Sequence, residues 1–290
     1  MHFTKMQGIG NDYVYVDGSK EKVENPSRMA VLMSDRHFGI GSDGLILINP
    51  SPKADFEMEM YNADGSRGKM CGNGIRCVGK YVYDHGLTDK TTLEIETLSG
   101  IKILELHPGK DGKIASVRVD MGAPILKASD IPVDLLELEE GELAAKSGAP
   151  LVSVRKHFGG RTCEITCVSM GNPHCVLFEK DDIASLDLER IGPVFEHDPL
   201  FPEGVNTEFV NVLTRDHIRM RVWERGSGET KACGTGACAS AVAAMLNGFT
   251  DRRVRVSLPG GDLEIEWEEA GGHVFMTGPA AEVFSGEFNP

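Results

Sequence analysis

The sequence is short of basic residues and contains no long apolar run. Its 290 residues include 30 Lys and Arg against 44 Asp and Glu, which gives a formal net charge of −14. An acidic chain without a basic cluster is not expected to bind nucleic acid. No apolar run reaches the ~20 residues that a membrane span needs, and residues 1–8 lack the apolar core of a signal peptide. These absences predict a cytoplasmic protein without nucleic acid or membrane as a partner.

The chain also lacks the even, dense set of cysteines that a disulfide framework requires. Its 7 cysteines are an odd number in a long chain without an export signal, so free thiols are expected. Cys163 and Cys167, with His174 and Cys175 nearby, have a spacing that zinc could use. However, residues 163–167 alternate like a strand, which favours buried thiols on one face. We therefore predict that no metal is bound there.

Two of the cysteines open the same short motif. CGNG at residues 71–74 and CGTG at 233–236 each precede a stretch that reads as a helix, over 75–83 and 237–246. A thiol at a helix N-terminus lies at the positive end of the helix dipole, which lowers its pKa. The free N–H groups of the same turn can hold a carboxylate. Both motifs are therefore candidates for reactive thiols beside an anion site.

The rest of the chain reads as two similar halves. Each half has many half-buried strands around one apolar, small-residue helix, and a helix that is Ala/Val-rich all round is expected to be buried. Asn62 lies nine residues before Cys71, and Glu224 lies nine before Cys233. The predicted fold is α/β (α+β), with two pseudo-symmetric domains. Each domain is a curved, mostly antiparallel sheet around one central helix, and the active site is expected in the cleft between them.

Two thiols suit a reaction that inverts a stereocentre, because inversion needs a base on one face of the carbon and an acid on the other. A cysteine hydrolase with His174 as its base is an alternative, but it gives no reason for the second motif. Another cofactor-independent amino-acid racemase and a non-catalytic binding protein are further alternatives.

Several phrases in the sequence resemble the diaminopimelate epimerase family. They are GIGNDYV at 8–14, YNADGS at 61–66, MCGNGIRC at 70–77, MGNPH at 170–174, GVN at 204–206 and RVWERGSGETKACGTG at 221–236. The resemblance runs in order from residue 2 to about residue 287. Proline racemases would be expected to have histidine where Asn73 stands. The resemblance implies a homodimer without a cofactor that interconverts LL- and meso-diaminopimelate, for lysine and peptidoglycan precursors. It also implies domains at 1–122, completed by 279–290, and at 123–278.

The resemblance assigns roles to individual residues. Cys71 and Cys233 correspond to the two catalytic bases, and His174 and Glu224 to residues that tune their pKa values. The α-carboxylate cradle corresponds to Gly72, Asn73, Gly234 and Thr235. The clamp for the distal end of the substrate corresponds to Asn11, Asn62, Asn172, Asn206, Glu224 and Arg225.

The sequence departs from the family pattern in three places. Gly44 stands where some members have glutamine, so that contact is lost or made by the backbone. Phe284 stands where a tyrosine is frequent at the dimer contact, which keeps aromatic packing without the hydroxyl. The region 131–161 is longer than is typical. Its acidic part, 134–142, is expected to be a solvated helix or insertion without a catalytic role.

Overall fold

The computed structural model describes residues 1–138, 149–270 and 272–289. These residues fall into two units. Unit 1 comprises Met1–Asp120 and Thr277–Pro290, and unit 2 comprises Met121–Met276. The resemblance implies domain boundaries after residue 122 and before residue 279. These boundaries stay a prediction. Within the described ranges, no helix has both the length and the apolarity of a membrane span.

Unit 1 is built around one mixed sheet. Its order is β18-β1-β2-β3-β4-β6-β7-β8, with the short β5 paired to β4; β2–β3 and β4–β6 are parallel and the other pairs are antiparallel. The elements are β1 (His2–Gly8), β2 (Asn11–Asp17), α1 (Pro26–Ser34), β3 (Gly44–Asn49), β4 (Phe56–Asn62), β5 (Arg67–Gly68), α2 (Gly72–Asp84), β6 (Thr92–Thr97), β7 (Gly100–Pro108), β8 (Ile114–Gly122) and β18 (Ala281–Glu287).

Unit 2 repeats this order. Its sheet runs β9-β10-β11-β12-β13-β15-β16, with the short β14 paired to β13; β11–β12 and β13–β15 are the parallel pairs. The elements are β9 (Val154–Phe158), β10 (Arg161–Ser169), β11 (Pro173–Phe178), α3 (Leu188–Glu196), β12 (Asn206–Thr214), β13 (His217–Glu224), β14 (Gly228–Thr230), α4 (Gly234–Leu246), β15 (Arg253–Leu258) and β16 (Gly261–Trp267). They are followed by β17 (Val274–Pro279), which begins in unit 2 and ends in unit 1. The match in strand order and direction is the structural form of the duplication that the motifs predict.

The two helices that follow the cysteine motifs are buried, as predicted. In α4 the residues from Ala237 to Ala244 are all buried, because alanine, serine and valine let the strands of unit 2 approach the helix closely. In α2, Gly79 serves the same purpose: a Cβ there would lie 2.8 Å from Leu106 and 3.0 Å from Leu104. Cys77 and Cys238 lie inside these helices and have no exposed surface. The strands of each unit therefore cover the cysteine-bearing face of its helix.

The prediction of one helix in each half was incomplete. Each unit also has a 9-residue helix that connects two parallel strands, α1 between β2 and β3 and α3 between β11 and β12. The Asn25 side chain caps α1 and the Asp187 side chain caps α3. Both helices are short, and α3 contains Pro193, a residue that argues against a helix interior when only the sequence is read.

The region 131–161 contributes to the core of unit 2, and burial of Leu138 corrects the prediction of a solvated helix or insertion for its acidic part, 134–142. Ile131, Leu138 and Leu151 are buried in a cluster with Phe195 and Phe209. Leu136, by contrast, is 84% exposed. Alternation of apolar and acidic side chains thus buries one side of this segment. The remainder of the acidic stretch, 139–142, lies outside the described residues.

Candidate functional site

The two motif cysteines occupy the same position at the start of their helices. Cys71 is the N-cap residue of α2 and Cys233 is the N-cap residue of α4, both with extended backbone. Each Sγ accepts a hydrogen bond of 3.3 Å from the backbone N–H of the second glycine of its motif, Gly74 or Gly236. A thiolate is a better acceptor than a thiol, so this contact favours the ionised form of either side chain.

The other candidate residues lie at matching points of the two sheets. Asn11 begins β2, and Asn172 directly precedes the equivalent strand β11. Asn62 ends β4, and Glu224 ends β13. Because these strand ends lead to the hairpin before each cysteine, the equal nine-residue spacing reflects the same local fold in both units.

In unit 1, Cys71 is linked to a network of charged side chains. Its Sγ–H donates to Asn11 Oδ1 at 3.3 Å, and Asn11 Nδ2 donates to Asp43 Oδ2 at 2.8 Å. Asp43 Oδ1 accepts from Arg36 at 2.9 Å, and Arg36 also pairs with Asp12. A carboxylate accepts only, so Asp43 turns the amide oxygen of Asn11 toward the thiol.

The predicted α-carboxylate cradle lies in the first turns of α2 and α4. Gly72, Asn73 and Gly234 are buried, and Thr235 is partly buried. The first N–H groups of a helix have no acceptor within that helix. They are oriented along the helix axis toward the N-terminus, where they carry partial positive charge. The geometry of each first turn therefore suits a bound carboxylate.

The expected low pKa is wrong for Cys233. Burial raises the pKa of this thiol well above its usual value, and the carboxylates of Glu224 and Glu208 raise it further. The hydrogen bonds from Thr235 and from the N–H of Gly236 lower it, but by less. The helix N-terminus thus acts in the predicted direction, and removal from water outweighs it.

A chain of hydrogen bonds links His174 to Cys233 within unit 2. Asn172 Oδ1 lies 3.1 Å from His174 Nε2, and Asn172 Nδ2 donates to Thr235 Oγ1 at 3.3 Å. Thr235 Oγ1 lies 3.5 Å from Cys233 Sγ. On its other side, His174 Nδ1 lies 2.6 Å from Glu208 Oε1, and both side chains are fully buried. His174 is therefore connected to Cys233 through Asn172 and Thr235.

Arg225 and Glu224 are held at the turn between β13 and β14. Asn206 Oδ1 accepts the backbone N–H of Arg225 at 2.9 Å, and the Arg225 guanidinium donates to Glu203 O at 2.7 Å. Thr230 Oγ1 donates to Glu224 Oε1. Asn206 therefore contributes to the position of the arginine backbone.

At the end of β4, Asn62 Nδ2 donates to Ser66 Oγ at 2.9 Å. Gly44 is paired with Asn62 in the sheet. A Cβ at Gly44 would lie 2.1 Å from the backbone oxygen of Tyr61 and 2.7 Å from the Tyr13 ring. A glutamine does not fit this backbone, so any contact from position 44 is made by the main chain.

Sequence reasoning missed three carboxylates that hold the candidate residues or their immediate neighbours. They are Asp43 beside Asn11, Glu208 beside His174, and Glu196, which accepts hydrogen bonds from Trp223 Nε1 at 2.6 Å and from Gly226 N at 2.9 Å. Asp43 adjoins the strand start at Gly44, and Glu208 is an acidic residue at an inward position of a strand. All positions of β12 from Asn206 to Asn211 are buried, so no alternation in the sequence marked Glu208 as inward-facing.

The cysteines considered for zinc lie on the strands of unit 2. Cys163 and Cys167 are on β10, and Cys167 pairs across the sheet with Cys175 on β11. All three are buried free thiols, and burial raises the pKa of Cys175 well above its usual value. No group of three or more His, Cys, Asp or Glu in the described part of the chain is arranged to hold a metal ion.

Comparison with known proteins identifies relatives over the whole chain. The family model "Diaminopimelate epimerase" matches residues 3–127 and 166–283. A diaminopimelate epimerase from Agathobacter rectalis is 56% identical over 289 residues, covering 100% of this chain and 99% of its own. One from Methanococcus maripaludis is 52% identical over 289 residues, covering 100% of both chains.

Solved structures confirm the fold class at lower identity. A phenazine biosynthesis protein of the PhzF family from Bacillus anthracis has a TM-score of 0.70 at 18% identity, over 100% of this chain and 99% of its own. A probable proline racemase from Agrobacterium radiobacter has a TM-score of 0.66 at 14% identity, over 99% of this chain and 92% of its own. The two-unit α/β fold is thus shared with these proteins. With the sequence matches, these findings show that the chain belongs to the diaminopimelate epimerase family.

Proposed function

We propose that the protein interconverts LL- and meso-diaminopimelate without a cofactor, with Cys71 and Cys233 as the two acid–base groups. The observation that carries the proposal is the equivalence of the two cysteines. Each unit supplies one thiol at the N-cap of a buried helix, with the same N–H···Sγ contact. The reaction would provide a precursor for lysine and peptidoglycan synthesis.

In this mechanism one cysteine is a thiolate and the other a thiol. The thiolate removes the α-proton from one face of the carbon, and the thiol delivers a proton to the other face. The helix N-termini at 72–73 and 234–235 stabilise the α-carboxylate and the negative charge that develops next to it. The reverse reaction exchanges the two roles.

The clamp proposed for the far end of the substrate matches the charges of diaminopimelate. Arg225 suits the distal carboxylate because a guanidinium can donate two parallel hydrogen bonds. Glu224 suits the distal ammonium, and the amides of Asn11, Asn62 and Asn172 supply neutral donors and acceptors. Together with Asn206, these groups select a substrate that carries an amino acid at both ends.

The surroundings of His174 argue against the alternative of a cysteine hydrolase. A Cys–His nucleophile needs a ring nitrogen within hydrogen-bond reach of the thiol. Both ring nitrogens of His174 are already engaged, Nδ1 with Glu208 and Nε2 with Asn172. The histidine is therefore placed to orient Asn172 rather than to deprotonate Cys233 directly.

The decisive test is NMR of LL-diaminopimelate incubated with the reduced protein in D₂O, without pyridoxal phosphate. We expect the meso isomer to appear with deuterium at one α-carbon, because the proton delivered to the carbon comes from a thiol that exchanges with solvent. Protein pretreated with iodoacetamide is the control. Absence of exchange with thiols confirmed as reduced would contradict the proposal. Parallel incubations with proline, hydroxyproline and glutamate test for another racemase.

We also propose a homodimer that uses the outer face of β18. Phe284 is 45% exposed and Val283 is 55% exposed on this strand. The Phe284 ring also packs edge-on against the Phe3 ring, with 5.9 Å between the ring centroids. Two neighbouring exposed apolar side chains favour a protein contact. We expect the Phe284→Asp variant to elute as a monomer in size-exclusion chromatography with light scattering, where the wild type elutes as a dimer. A wild-type monomer, or a dimeric variant, would contradict this assignment.

A further inference from the structure

We infer that Glu208 is a positioning residue for Cys233, acting through His174, Asn172 and Thr235. The assignment rests on the proposed function, which makes Cys233 an acid–base group. Glu208 lies on β12, in a part of the sequence that none of the motifs covers. Its contribution would be to fix the direction of every hydrogen bond between itself and the thiol.

The direction is set at His174. Asn172 Oδ1, a carbonyl oxygen, can only accept, so the proton between it and His174 belongs to Nε2. On the opposite side Glu208 Oε1 lies 2.6 Å from Nδ1. That short contact holds either an imidazolium with a carboxylate or a neutral imidazole with a carboxylic acid. Both arrangements leave a proton on Nε2, and the pair is neutral in both.

The remaining bonds follow from this proton. With its oxygen turned to His174, Asn172 directs its Nδ2 group to Thr235 Oγ1 at 3.3 Å. The hydroxyl of Thr235 accepts that bond, which leaves its own hydrogen to be donated to Cys233 Sγ at 3.5 Å. Three successive donors therefore point toward the sulfur. When Cys233 ionises, the thiolate accepts a hydrogen bond from the Thr235 hydroxyl, which is already oriented toward it.

Burying the Glu208 carboxylate is unfavourable for stability, which argues that the residue has a specific role. Glu208 has no exposed surface, and among the described residues its Oε2 atom has no hydrogen-bond partner. A buried carboxylate satisfied on one oxygen is expensive, and a well-packed apolar residue usually serves stability as well or better. The space is also tight, because a Cβ at Gly236 would lie 2.7 Å from Glu208 Oε1.

Glu208 can affect the pKa of Cys233 in two opposite ways. A bare carboxylate raises that pKa through its charge, as Glu224 also does. A carboxylate paired with His174 adds no net charge and supplies the chain of donors, which lowers the pKa of the thiol. Two further titratable groups interact with Glu208. The carboxylate of Glu224 raises the pKa of Glu208, and the thiol of Cys175 stays protonated at neutral pH because burial raises its pKa. The sign of the change on removing Glu208 separates the two effects.

The test compares the variants Glu208→Leu and Glu208→Gln in the full-length reduced protein. Leucine removes the contact with Nδ1, and glutamine retains it, because its amide N–H can donate to Nδ1 and leave the proton on Nε2. Asn211→Ala is the control. Asn211 lies on the same strand and is buried, but its side chain bonds to Ile183 N, Glu179 O and Asp181 O.

Two quantities are measured. One is the rate of iodoacetamide alkylation at the Cys233 peptide as a function of pH, read by mass spectrometry. The other is turnover of LL-diaminopimelate. For Glu208→Leu we expect the alkylation midpoint to move up by about one pH unit and kcat to fall roughly 10- to 100-fold, with KM changed less, since a hydrogen bond to a charged group contributes on that scale. We expect Glu208→Gln to restore most of the wild-type alkylation midpoint and most of the wild-type kcat. Asn211→Ala should change neither the midpoint nor kcat.

A downward shift for Glu208→Leu would overturn the inference and assign Glu208 the effect of a bare charge. An unchanged midpoint would overturn it as well and leave Glu208 a structural residue, as would a Gln variant no better than Leu. These results are distinct from failure of the proposed function. In that case wild-type protein would not turn over diaminopimelate, while the alkylation profiles would still report on the link between Glu208 and Cys233.

Discussion

Replacing either Cys71 or Cys233 by alanine is expected to abolish epimerisation in both directions. A single positioned acid or base contributes roughly 10²- to 10⁴-fold to a rate, and inversion of the α-carbon requires both. Loss of one thiol removes the base for one direction and the acid for the other. The measurement is the conversion of LL- to meso-diaminopimelate, and the reverse, followed by NMR with each purified variant.

Two other cysteines provide matched controls for this result. Cys77 in α2 and Cys238 in α4 lie on the same helices as the candidate bases and are fully buried. Burial raises the pKa of Cys77 to about 11, so that thiol does not ionise at neutral pH. We expect Cys77→Ala and Cys238→Ala to retain turnover in the folded protein. Two-way turnover in Cys71→Ala or in Cys233→Ala would eliminate the two-thiol mechanism.

Features that depend on short stretches of chain could be predicted from the sequence. The motifs CGNG and CGTG place a thiol at the start of a helix because glycine permits the turn and the helix begins immediately afterwards. Small residues from 237 to 244 indicate that α4 is buried, because only a helix enclosed by strands has no polar face. The equal spacing of Asn62 and Glu224 from their cysteines indicates the repeated hairpin.

Features that depend on partners distant in sequence could not be predicted. Asp43 lies 32 residues from Asn11, and Glu208 lies 34 residues from His174. Nothing in a single sequence indicates that these side chains meet. The same limit explains the wrong expectation for the pKa of Cys233. The helix N-terminus is a local effect, whereas burial and the nearby carboxylates are produced by the packing of β12 and β13 against α4.

Substitution of Arg225 by methionine should weaken recognition of the distal carboxylate without removing the catalytic thiols. The backbone N–H of Arg225 is fixed by Asn206, and its guanidinium is held by a bond to Glu203 O. The side chain itself is exposed, so the guanidinium can contact a ligand. Losing a charge-assisted hydrogen bond should lower kcat/KM for diaminopimelate by roughly 10- to 100-fold.

L-Lysine separates this specific effect from a general loss of activity, because lysine is diaminopimelate without the distal carboxylate. We expect any α-proton exchange of lysine in D₂O to be slow and nearly the same in wild type and in Arg225→Met, since neither can form the missing contact. The preference for diaminopimelate over lysine should therefore fall by the same roughly 10- to 100-fold. Glu203→Ala is the matched control, because it keeps the carbonyl that holds the guanidinium. An unchanged preference in Arg225→Met would assign the distal carboxylate to a different residue, whereas equal losses on both substrates would mean that Arg225 supports the fold of the β13–β14 turn.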